Sequence, residues 1–218
     1  MTFEEYKADF ERFCEIKTPE LLAICKKNYE SYMVHLASQE YFEPVNLEEE
    51  NDDYRKKLYK ILGLHNIEEN ELYCLINASF KPERLLTISQ QAENFILKDI
   101  ALVKSYWEQY YVNEPSPVLD IIVRELTLPE RLGKQLYNIL LTTIMKSKKS
   151  ESRWFSIDGV HYILQTLKDG KRICAQKISP NEDSRSGKIT SLLNSLADSI
   201  VSGILDIEKL DSNLQMLS

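Results

Sequence analysis

The chain has 218 residues, 43% of them hydrophobic and 28% charged, with a formal net charge of −7. That composition is ordinary for a globular protein, and the length suffices to bury a sizeable core without disulfides or metals. The acid excess lies in residues 1–100, and the rest is close to balance. This argues against nucleic acid or an anionic membrane as main partner, since both are met with a basic face. It suits a protein partner of basic character, steered by opposite fields.

Six glycines and seven prolines are few breakers, which favours long helices. Thr2 and Glu5 have capping-box spacing, and Phe3, Tyr6, Phe10 and Phe13 follow at helical intervals. Thr18-Pro19 restarts the pattern with a cap and a first-turn proline. That helix is expected to run to about Ser38. Residues 39–53 hold Glu40, Glu43, Glu48, Glu49, Glu50, Asp52 and Asp53 with no basic residue, and read as a loop. A short helix is expected over Tyr54 to Leu62, ended by Gly63. Another is expected near Glu69 to Asn77.

Pro82 to Tyr111 reads as the longest helix, apolar on more than one side and therefore central. A helix from Val118 to Leu126 follows. Thr127 and Glu130 then suggest a second capping box, with a stripe from Leu132 to Met145. The polar run Lys146 to Arg153 is the candidate internal boundary. Beyond it, Asp158-Gly159 and Asp169-Gly170 are two-residue hairpin signals. They predict a three-stranded meander over 153–157, 160–168 and 171–178, with Lys168 opposite Lys171, Thr166 opposite Ile173 and Leu164 opposite Ala175. Phe155, Ile157, Val160, Tyr162, Leu164, Ile173 and Ala175 form its core face. The amphipathic stripe from Ile189 to Ile204 should cover that face, because three strands alone are marginal. The fold class read here is α+β: a mainly helical region, 1–148, then a meander-plus-helix unit, 152–205, able to share one core with it, and a tail, 206–218.

No motif carries a chemistry. Gly187-Lys188 before a helix is faintly like a phosphate loop, but Ile189 stands where Ser or Thr is needed. A helix start capped by Asp183 or Ser184 explains it better. His35, His65 and His161 have no partners at metal-ligand spacing. Cys14, Cys25, Cys74 and Cys174 form no C-x-x-C pair and read as free thiols of a reducing compartment. Trp107, Tyr106, Tyr110 and Tyr111 read as core packing, with an interface anchor as the other use. No cofactor, metal or catalytic residue is expected. With no leader or apolar span in the sequence, residence in the cytoplasm follows.

The functional expectation is a non-enzymatic protein-binding module, of the kind that inhibits a basic toxin or enzyme. Its contact residues are Glu48, Glu49, Glu50, Asp52 and Asp53, with Tyr41 and Phe42 as anchors. Two alternatives stand beside it: a winged-helix DNA-binding regulator over 118–178, and a hydrolase whose site assembles only in space. Oligomeric state is not legible.

Overall fold

The capping box closes as its spacing dictates. Glu5 N donates to Thr2 Oγ1 at 3.3 Å and Thr2 N to Glu5 Oε2 at 2.6 Å, which starts α1 (Phe3–Glu11). Thr18 caps α2 (Pro19–Ser38), whose end matches the expected one. The computed structural model describes residues 1–47, 53–64, 67–79, 81–111, 119–150 and 159–218. After α2 come β1 (Glu43–Pro44) and α3 (Asp53–Ile61), with Gly63 at φ +79° behind it. Left-handed φ is the conformation that makes glycine the usual helix terminator.

From residue 71 the chain departs from the helical expectation. β2 (Glu71–Ala78), β3 (Arg84–Gln91) and β4 (Asn94–Leu102) occupy the segments read as helices at 69–77 and 82–111, and only α4 (Tyr106–Tyr111) is helical there. β5 (Ile121–Pro129) replaces the helix expected at 118–126. The capping box at Thr127 and Glu130 does not form, because Thr127 is in β5. α5 (Glu130–Met145) begins straight after Pro129 with no side-chain cap. The predicted architecture, a helical region followed by a three-stranded meander, is therefore wrong. The chain remains α+β, but its centre is a seven-stranded antiparallel sheet.

The remaining elements are β6 (Val160–Lys168), β7 (Lys171–Ile178), α6 (Arg185–Ser202) and α7 (Ile207–Leu217). Their hairpin register is the predicted one, with Leu164 opposite Ala175, Thr166 opposite Ile173 and Lys168 opposite Lys171. Asp169 and Gly170 take φ of 52° and 70°. Strand order is β1-β7-β6-β2-β3-β4-β5. β6 has β7 on one edge and β2 on the other, with Leu164 opposite Cys74 and Tyr162 opposite Ile76. The place expected for a strand at 153–157 is thus filled by β2, and residues 153–157 themselves lie outside the described residues. Residues 206–218, read as a tail, hold α7, capped by Asp206 and burying Leu210, Leu214 and Leu217.

Alternation sorts the strands onto two cores. Leu72, Cys74, Leu86, Leu97 and Leu164 point to the side covered by α5, α6 and α7. Tyr73, Leu75, Leu85, Leu102 and Ile163 point to the side covered by α3 and α4. The predicted face of Tyr162, Leu164 and Ala175 is indeed the one α6 covers. The aromatic cluster belongs mostly to the second core: Tyr54 stacks on Tyr106 at 5.3 Å, and Trp107 meets Tyr54 edge-on at 5.2 Å. Cys25, Cys74 and Cys174 are buried free thiols and Cys14 is exposed.

Candidate functional site

The segment that leaves α2 is pinned to the sheet and to α6 at almost every residue. Ser38 O, at the carboxyl end of α2, accepts from Lys177 Nζ at 2.6 Å, a cation where the helix dipole favours one. Burial lowers the Lys177 ammonium pKa, partly offset by Glu43 and Glu40. Gln39 Oε1 accepts from Asn181 N at 3.1 Å, and the Ser186 hydroxyl donates to Gln39 O. Glu40 accepts from Arg185 N at 3.2 Å, and Phe42 O accepts from Lys148 N at 3.0 Å. Glu43 then pairs with Gln176 in the sheet.

This clamp presents Tyr41, half-buried, at a cleft of about 850 Å³ between α5 and the start of α6. The volume lies in the range of ligand pockets. Phe42, Ile139 and Ile189 form its floor, and Arg131, Lys134, Lys146, Lys148 and Arg185 its rim. Lys148 Nζ stands 5.8 Å and Lys177 Nζ 6.0 Å from the Tyr41 ring centroid, within cation–π range.

Of the expected contact residues, the three that are described, Tyr41, Phe42 and Asp53, are not gathered in one patch. Phe42 is 1% exposed and belongs to the core under α5 and α6. It anchors the segment to its own protein. Tyr41 is available at the cleft. Asp53 begins α3 on the opposite face of the sheet, where Lys57 Nζ lies 2.8 Å and Tyr110 OH 3.1 Å from its carboxylate. Those two hydrogen bonds lower its pKa. Glu48, Glu49, Glu50 and Asp52 lie outside the described residues. The rim was legible in part: the cations Arg131 and Lys134 and the polar Asn138 and Thr142 recur along α5, and Lys146 and Lys148 belong to the run read as a boundary.

The Gly187-Lys188 motif is a structural helix start. Ser184 Oγ accepts from Gly187 N at 3.0 Å. A Cβ on Gly187 would lie 1.9 Å from Asn181 O, so glycine is there for a close approach of the backbone. Lys188 lines a second cavity of about 450 Å³ with Tyr162 and Asn194, whose side chains are joined by a 2.8 Å hydrogen bond. Residues 121–129 are a strand, which removes the first helix of a winged-helix arrangement. Among the described residues no group of three or more His, Cys, Asp or Glu side chains could hold a metal ion, and no helix is long and apolar enough to cross a membrane. Comparison with family models, curated proteins and solved structures gives no match.

Proposed function

We propose that the chain is a non-enzymatic protein-binding module, of the inhibitor or immunity kind, that meets its partner through the face around Tyr41. One observation carries the reading. Tyr41 stands at the mouth of the 850 Å³ cleft on a backbone held from both sides by Lys177, Ser186 and Lys148. An aromatic anchor in a fixed pose loses little freedom on binding, and such anchors dominate interface energies.

The test uses the full chain as bait in extract of its native host, beside a Tyr41→Ala variant, with complexes measured by surface plasmon resonance. The wild type is expected to retain a protein that the variant binds at least about 30-fold more weakly, a loss of about 2 kcal/mol. Neutralising Glu48, Glu49, Glu50 and Asp52 reads the partner's charge: association slows if the partner is basic and quickens if it is acidic. Recovery of DNA would move the reading to a regulator. A partner indifferent to Tyr41→Ala would move the contact face elsewhere.

A further inference from the structure

The Tyr41 cleft is basic in an acidic chain, and among the described residues most of its cations make no ion pair, although Lys148 Nζ lies over the Tyr41 ring. Among the described residues, no ion pair engages the side chains of Lys134, Lys146, Lys148 or Arg185. Arg131 is tied to Asp211 at 2.9 Å. Glu40, also in the lining, has its carboxylate engaged by the Arg185 N–H. From Arg131 to Lys146 the rim follows about 22 Å of helix, at about 1.5 Å per residue. Between its ends Gln135, Asn138 and Thr142 offer uncharged hydrogen-bonding groups above the apolar floor.

We infer that this cleft takes an acidic peptide segment of a partner protein, with an apolar side chain against Tyr41 and carboxylates on Lys134, Lys148 and Arg185. The inference rests on the reading of the Tyr41 face as a protein-binding surface. Length fits: about seven extended residues at about 3.3 Å each span the rim. The amides and hydroxyls of α5 suit a peptide backbone, which supplies a donor and an acceptor at nearly every residue. A nucleic acid fits less well. Stacking platforms need an open ring face, and the Tyr41 ring already carries two ammonium groups.

A random-peptide display library panned on the full chain tests this, with the selected peptides labelled and titrated by fluorescence anisotropy. The variants are Tyr41→Ala and a double charge reversal, Lys134→Glu with Lys148→Glu. Both lysines are exposed, and an unchanged melting temperature verifies that the reversal leaves the fold intact. Selected peptides should be rich in Asp and Glu, weaken with salt, and bind the reversed variant about tenfold less tightly, or about 1.4 kcal/mol. Peptides that need Tyr41 but carry no acidic bias and ignore the reversal would overturn the inference while leaving the protein-binding reading in place. If no selected peptide depends on Tyr41, that reading fails and this inference with it. A thymidine oligonucleotide that displaces the peptides, and itself weakens on charge reversal, would assign the cleft to nucleic acid instead.

Discussion

At the scale of single residues, the sheet carries polar groups that decide how it tolerates change. Asp99 is fully buried and receives Arg84 in a fork, Nε to Oδ1 at 3.1 Å and Nη2 to Oδ2 at 2.8 Å. Arg84 Nη2 also donates to Ala197 O at 3.2 Å, tying β3 and β4 to α6. Removing Arg84 strands the fully buried Asp99 carboxylate, whereas Arg84 itself is partly exposed and has Asp198 at 3.8 Å as a second partner. Arg84→Ala should lower unfolding free energy by about 3–5 kcal/mol, measured by denaturant titration. Gln165 is the opposite case. It is 0% exposed, and neither end of its amide has a hydrogen-bond partner among the described residues. An orphaned buried amide costs about 1–3 kcal/mol, so Gln165→Met should leave stability unchanged or raise it. A loss of more than about 1 kcal/mol would show that the amide has a partner.

His161 makes stability depend on pH. Its Nε2 lies 2.9 Å from Gln176 Oε1 and its Nδ1 3.3 Å from Arg55 Nη2. The arrangement fits a neutral ring that donates to Gln176 and accepts from Arg55. Burial first, and the Arg55 charge second, push the pKa down to about 4. The unfolded chain takes the proton below about pH 6.5 and the folded chain only near 4. Stability should therefore fall as pH drops through that window, by up to about 3 kcal/mol at about 1.4 per unit. His161→Gln should flatten that part of the profile, measured by thermal melts at intervals from neutral pH downward. An unchanged slope would assign the acid sensitivity to other groups.

At the scale of elements, those with a local signal were legible in sequence, whereas β2 to β5 and the C-terminal α7 were not. α1, α2, α6 and the β6–β7 hairpin announce themselves by caps and Asp-Gly chemistry, which act within a few residues. β4 defeats the same method. Phe95 and Leu97 face one core while Ile100 and Leu102 face the other. A strand buried on both sides loses its period of two and reads as helix. The turn that divides β3 from β4 gives no warning either, since Ala92 takes φ of 52° where glycine or asparagine would have signalled it. β5 offered a signal that was missed, the β-branched run Ile121-Ile122-Val123. Of the site, Tyr41 could be picked out, but the cleft could not. It is made by α5 and α6 converging on the 38–44 segment across long sequence separations.

Gly133 shows the cost of such convergence and sets two effects against each other. Alanine in a helix interior is favoured over glycine by about 1 kcal/mol. A Cβ at Gly133, however, would lie 2.3–2.5 Å from Phe95 side-chain atoms. Overpacking of that kind costs about 1–3 kcal/mol, and the ring is held in the core under α5. Gly133→Ala should therefore destabilise the chain in denaturant titration. A stabilising result would mean that Phe95 can move aside.

At the scale of the whole molecule, the central pairing is between strands far apart in sequence. β6 lies against β2, with Leu72 opposite Thr166 and Ala78 opposite Val160. The β6–β7 hairpin therefore has no independent edge on that side, and its core face is shared with β2, β3 and β4 under α5 and α6. Opening β6 would expose both cores at once, because Leu164 belongs to one and Ile163 to the other. Segments of that kind open only with the whole fold. The α1–α2 hairpin differs. α1 buries no residue, and it holds to α2 through Phe3 against Tyr29 at 5.4 Å and Tyr6 against Tyr32 at 5.5 Å. Native-state hydrogen exchange should then give β2 and β6 amides the same, global opening free energy, while α1 amides exchange from a much smaller local opening. Loss of protection in β6 and β7 at lower denaturant than in β2 would overturn this, and would show the chain behaving as two units with a boundary after α5.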